Sequence, residues 1–250
     1  MLIECLDYTA KESLRRLLGE SFPHPHSILA NVCMIHLIEC GFQNTTISSE
    51  EEFKAVLHND PLLAYASQAW AFHAKQSLPI DEIHRLTARF LVDSSAFPAF
   101  TSIDRTWRFD ILTLLHVVAL YHLPLEFIGD LAARDPNIAT KVHQQTPLVL
   151  ASKSGFEGFV KLLLEDPGLQ VNLVDSYGWP ALMWAAQYGH EHIAATLLAR
   201  PEIQVNLVNN DGFSALMVTG QFGHEHIAAR LLTRPDIQVN LVSTMGGRLS

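Results

Sequence analysis

The sequence predicts an all-α fold: a helical domain over residues 1–104, then a solenoid of about four repeated units over residues 108–243, then a tail at 244–250. Two observations predict the solenoid. The segments GHEHIAATLLARPEIQVNLV (189–208) and GHEHIAARLLTRPDIQVNLV (223–242) are near-duplicates 34 residues apart, and a short apolar element recurs as TLLHVVA (113–119), TPLVLAS (146–152), PALMWAA (180–186) and SALMVTG (214–220). A third observation sets the class, since every strongly periodic segment runs near 3.6 residues and none alternates with period 2. Units of this length cannot bury an apolar face without a neighbour, so they stack, and their function lies on the surface they share.

The N-terminal elements follow in order. Leu2, Ile3, Cys5, Leu6, Tyr8, Leu14, Leu17 and Leu18 form a helical pattern that stops at Gly19. After a polar loop from Glu20 to Pro25, the segment HSILANVCMIHLIECG reads as a helix apolar on nearly all sides and closed by Gly41. Ser48 or Ser49 caps SEEEFKAVLHN, Pro61 opens PLLAYASQAWAFHAKQS, and Ile80 to Val92 gives a further amphipathic stretch.

Within the repeats, spacing divides the chain into units 108–140, 141–174, 175–208 and 209–242. Gly155, Gly189 and Gly223 recur where a tight turn between two helices needs positive φ, and Asn172, Asn206 and Asn240 recur where the chain leaves the second helix. Each unit is therefore helix, turn, helix, extended loop.

The TPL-like element with its A-S or A-A pair, the G-H at the turn, the LL pair and the VN dipeptide resemble ankyrin repeats, strongly in the last three units and less in the first. The resemblance implies a protein-binding solenoid whose concave groove takes the residue before the TPL-like element and the residues before the turn glycine. The histidine of the family's TPLH element survives as His116 and is replaced by Val149, Met183 and Met217, which implies looser hairpin tips in three units. Upstream, HSILANVCMIHL and EEEFKAVLHNDPLLAYASQAWAFHAK resemble the helical segment after the nucleotide-binding module of fungal NACHT-type ankyrin receptors. No G-x-x-x-x-G-K-[ST] loop is present, so nucleotide hydrolysis is not carried over and an adaptor or sensor half is what the resemblance implies.

Composition narrows the classes. A formal charge of −9, from 26 acidic and 17 basic residues without a Lys/Arg run, offers no phosphate-neutralising surface, so direct nucleic-acid binding is not expected. The N-terminus lacks a secretory pattern, and the stretch Ile111–Leu123 is interrupted by Thr113, His116 and His122 and is too short to span a bilayer. Three cysteines, Cys5, Cys33 and Cys40, fit a reducing compartment, the cytoplasm or nucleus.

Catalytic and metal chemistry finds little support. His24, His26, Cys33, His36 and Cys40 cluster, but without a CxxC or HExxH framework they read as core and surface residues of a helix, with Cys33 buried and inert. His190 and His192, like His224 and His226, diverge by about 200° on a helix and cannot close easily on one ion. No nucleophile elbow or base-paired thiol appears. No metal, cofactor or catalytic residue is assigned.

The remaining signal is a stripe of groove residues: Tyr177, Trp179, Gln187 and Tyr188 in the third unit, Phe213, Gln221 and Phe222 in the fourth. Large aromatics bury much area at small rotamer cost and are what partner anchors look like, although stacking among themselves would also account for them. Gln145 and Ser154 hold the equivalent places in the second unit and predict a polar groove there. The expectation is an adaptor or scaffold binding one or more proteins in the groove; a transcription co-regulator working through a DNA-binding partner is the alternative. The fourth unit keeps the internal pattern Ile227, Leu231, Leu232, which predicts an uncapped face that binds a partner, drives self-association, or marks the chain as part of a longer array.

Overall fold

The computed structural model describes residues 25–39, 55, 58–76, 112–128 and 134–241. The expected helices at 1–19 and 80–92, most of the Ser48/Ser49-capped segment, Cys5, Cys40, His24 and the tail lie outside them.

Two long helices open the described chain, α1 (Pro25–Glu39) and α2 (Pro61–Gln76). They pack extensively on each other, with Ala30, Cys33, Met34 and Leu37 of α1 meeting Leu63, Ala66, Trp70, Ala71 and Ala74 of α2 in the core. The expectation that α1 is buried on nearly all sides is corrected here: among its described side chains Val32 and Ile35 are exposed, while Ala30, Cys33, Met34 and Leu37 are the apolar ones that enter the core. Burial pushes the Cys33 thiol up to about 12, which keeps it protonated and unreactive. His36 turns to Asp60 at 2.8 Å, while His26 pairs with His73 at 2.8 Å, so the histidines of this region face different partners. Trp70 carries α2 onto the solenoid, its ring 6.0 Å from that of Tyr121.

The solenoid begins with α3 (Leu114–Tyr121) and a 3-10 turn (Leu125–Ile128). Three helix pairs follow: α4 (Pro147–Ser154) with α5 (Glu157–Leu164), α6 (Ala181–Tyr188) with α7 (Glu191–Leu198), and α8 (Ala215–Phe222) with α9 (Glu225–Leu232). Among the described residues there is no strand, only the isolated bridges Val174–Pro180 and Val208–Ser214, which close the hairpin loops, or fingers, before the first helices of the third and fourth units; residues 140–145 form the second finger. Gly155, Gly189 and Gly223 end the first helices at φ +81°, +71° and +76°, as their recurrence requires. In the first unit His122 takes that place at φ +53° and stacks on Phe156, centroids 4.7 Å apart.

The first helices α3, α4, α6 and α8 form a row packed more tightly than the row of second helices, with Ala151, Ala181, Ala185, Ala186 and Ala215 giving the backbones room to approach. The third finger lies against this row, with the Trp179 ring 4.8 Å from that of Trp184 on α6.

Repeated side-chain bonds set the register between units. Asn137, Asn172 and Asn206 each donate to a carbonyl and accept from an amide in the next loop: Gly168 and Gln170, Glu202 and Gln204, Asp236 and Gln238. His190 donates through Nε2 to the Lys153 carbonyl at 3.2 Å, and His224 to that of Gln187 at 2.9 Å. These histidines are N-caps of α7 and α9, and Glu191 and Glu225 sit in the first turns, where a helix dipole favours acids.

Candidate functional site

The groove is built from the first-helix row and the fingers, and its chemistry centres on Asp175. In the finger DSYGW this carboxylate is buried, and one oxygen accepts the backbone amides of Tyr177 and Trp179, each at 2.9 Å. The other accepts the indole N–H of Trp184 at 2.9 Å and the amide of Gln145 at 3.4 Å. A buried carboxylate with four donors needs no further partner and acts as a clamp joining its own finger to α6 and to Gln145 of the second finger.

Asp175 orients Trp184, and Trp184 organises the ring ladder. Its ring centroid lies 4.8 Å from that of Trp179 and 6.0 Å from that of Tyr188, nearly parallel to the latter; Tyr188 in turn stacks on His190 at 6.0 Å. The Lys153 ammonium sits 4.4 Å from the Trp184 ring centroid, a cation–π contact reaching over from α4. Burial lowers the Lys153 pKa, and the charge of Asp175 acts in the opposite direction.

The residues picked from the sequence separate into two groups. Tyr177, Tyr188 and Phe222 are 56%, 50% and 45% exposed, and Gln221 is exposed beside Phe222. Trp179 and Phe213 are half-buried against the core. Gln187 is also half-buried, and its side-chain oxygen meets no donor among the described residues. The expected polar groove in the second unit needs correction. Gln145 is interior, donating to Asp175, and Ser154 donates to the Ala119 carbonyl at 2.9 Å, so Lys153 is what this unit contributes to the ladder.

The finger tips also differ from expectation. His116 does what the TPLH histidine implies: it accepts the Thr113 amide at Nδ1 and, at Nε2, donates to the carbonyls of Ile138 and Gln145, both at 3.1 Å. Where Met183 and Met217 replace it, bonds from within the finger hold the tip instead. Asp175 supplies them in the third unit; in the fourth Asn209 accepts the amides of Asp211 and Phe213 at 3.0 and 2.8 Å. The second tip is closed by Thr140, whose amide donates to the Gln145 carbonyl at 3.0 Å, whose hydroxyl accepts the Gln145 amide at 3.1 Å and whose carbonyl accepts the Gln144 amide at 3.1 Å.

Asp175, Trp184 and Lys153 were not singled out by sequence reasoning. Trp184 stands where the repeat has Val218 34 residues later, and that substitution of a large ring for an aliphatic side chain was the available signal.

No helix among the described residues is long and apolar enough to cross a membrane, and none of their His, Cys, Asp and Glu side chains form a group of three that could hold a metal ion. No curated protein matches the chain. A family model described as ankyrin repeats (3 copies) matches it over residues 115–209 and 171–243. That match takes in more than half of the 250 residues, and with the helix pairs, turn glycines and inter-unit histidines it shows that the chain belongs to the ankyrin-repeat family.

Proposed function

We propose that this protein is a non-catalytic adaptor or scaffold that binds a protein partner along the groove of its first-helix row. Ankyrin repeats generally mediate protein–protein interaction, and proteins built from them are typically interaction modules without catalysis. The observation that carries the finer reading is the exposure of Tyr188 and Phe222 at equivalent ends of two successive first helices, and of Tyr177 on the third finger, next to a hydrogen-bonded frame. Pre-ordered aromatics lose little entropy on binding, which is where affinity in such surfaces comes from. The resemblance of the N-terminal helices to those of NACHT-type receptors supports a sensor or adaptor setting in the cytoplasm or nucleus.

The test is quantitative capture of partners by the full chain and by Tyr188→Ala/Phe222→Ala. Partners depleted roughly tenfold or more by the double variant, at unchanged helicity, support the groove. Equal capture by both chains contradicts it. Trp179 and Phe213 are unsuitable for this test, because their truncation also opens the core. A DNA-binding protein among the depleted partners favours the co-regulator reading over the adaptor.

A further inference from the structure

The third and fourth units are near-duplicates, so a difference in burial between matching residues reports what packs over them. Leu182, Met183 and Ala194 are buried, whereas Leu216, Met217 and Ala228, the same residues one unit on, are half-buried. Leu198 and Val205 are 8% and 1% exposed, and their counterparts Leu232 and Val239 are 54% and 59% exposed. These differences trace one apolar surface on α8, α9 and the following loop, matching the surface that the third unit buries under the fourth. Asn240 extends the series of Asn137, Asn172 and Asn206, which bond to the next loop, and it too is exposed.

The first unit offers no such surface. Leu114, Leu115, Val117, Val118 and Ala119 of α3 are all buried, and the Trp70 ring of α2 comes against that of Tyr121. Two copies of the chain therefore cannot stack fourth unit on first; they can cover this surface for each other only face to face.

A face-to-face contact is isologous, so the patch has to complement itself. Its apolar side chains do so without a special partner. α9 carries Glu225 in its first turn and Arg230 in its last, both exposed, so two α9 helices lying antiparallel across a two-fold axis set acidic start against basic end and oppose their dipoles. The Asn240 amide both donates and accepts, so it can pair with its own copy.

We propose that this surface is the interface of a symmetric dimer, in which α9 and the Val239 loop of each copy cover those of the other. The proposal does not depend on the groove being a binding site. If the groove binds partner segments, the dimer carries two grooves, and a partner with two matching segments gains avidity.

The experiment is sedimentation equilibrium of the full chain over a wide concentration range, with charge exchange on α9. The mass is expected to rise from one copy and level at two. Glu225→Arg and Arg230→Glu, each alone and with helicity unchanged, should weaken the dimer about threefold, and the two together should restore it, because exchanged ends again meet opposite charges. A benzophenone side chain placed at Leu232 of the otherwise native chain should crosslink to a second copy, and one at Lys161 on α5 should not. A mass that stays at one copy, or climbs past two without levelling, overturns the proposal. So does a double exchange that is weaker than either single change, or a native chain that stays monomeric and is crosslinked from position 232 to a different protein.

Discussion

The Nε2 of His224 donates to the carbonyl of Gln187 at 2.9 Å, and the histidine belongs to the unit after the one whose carbonyl it satisfies. The same ring covers Gly189, where an added Cβ would lie 2.6 Å from its Cε1. His190 stands over Gly155 in the same way. One residue therefore starts a second helix, satisfies a carbonyl at the end of the previous first helix, and requires glycine beneath it.

Gly189→Ala and Gly223→Ala should accordingly differ. Both place alanine at positive φ, which costs about 1 kcal/mol, but only Gly189 lies beneath a histidine, whereas a Cβ at Gly223 meets nothing within 4 Å. Chemical denaturation should show a loss of about 2–3 kcal/mol for Gly189→Ala and about 1 for Gly223→Ala. Equal losses would mean that the histidine lid moves aside freely.

Asp175→Asn tests the clamp. The amide oxygen can still serve the Tyr177 and Trp179 backbone, as Asn209 serves its own finger, but its NH2 would face the indole N–H of Trp184. The expected cost is about 1–3 kcal/mol, with a shift in tryptophan emission as the indole loses its acceptor. Unchanged emission and stability would show that the indole bond does not hold the ladder.

Acid should destabilise the helix pair α1–α2. Burial first, and the charge of His26 second, lower His73 from its ordinary value to about 4. The unfolded chain, with an ordinary histidine, binds the extra proton more readily, so the stability linked to His73 is full above about pH 6.5 and is lost as pH falls toward 4. His73→Gln should flatten the stability profile across that window. A profile as steep as that of the native chain would place the acid response elsewhere.

The face formed by α9 and its following loop should drive self-association. Leu232 and Val239 are 54% and 59% exposed there, and Gly223 has no covering ring. Light scattering should show a concentration-dependent mass that falls to the monomer when Leu232→Lys and Val239→Lys are combined. A native chain that stays monomeric at high concentration contradicts this.

Much of the fold was legible because its determinants are local and repeated. The 34-residue spacing, the turn glycines and the Asn series announce helix pairs and their register. The groove was only partly legible. Tyr188 and Phe222 precede the turn glycines and emerge exposed as the repeat requires, but whether Trp179 and Phe213 are buried depends on how far each finger leans on the core. Lys153, Asp175 and Trp184 lie on three different segments and meet only when two units stack; their geometry is a tertiary fact. The misreading of α1 has a similar cause, since an apolar residue on a helix does not disclose whether a neighbour covers it.

Site-specific photo-crosslinking tests the central claim most directly. A benzophenone side chain placed at Tyr188, in the groove, is compared with one at His192, exposed on the second-helix row, in the full chain with its partner. Crosslinks to the partner from position 188 and none from 192 are the result expected of a groove binder; crosslinks from 192 with none from 188 would put the partner on the opposite face and contradict the account.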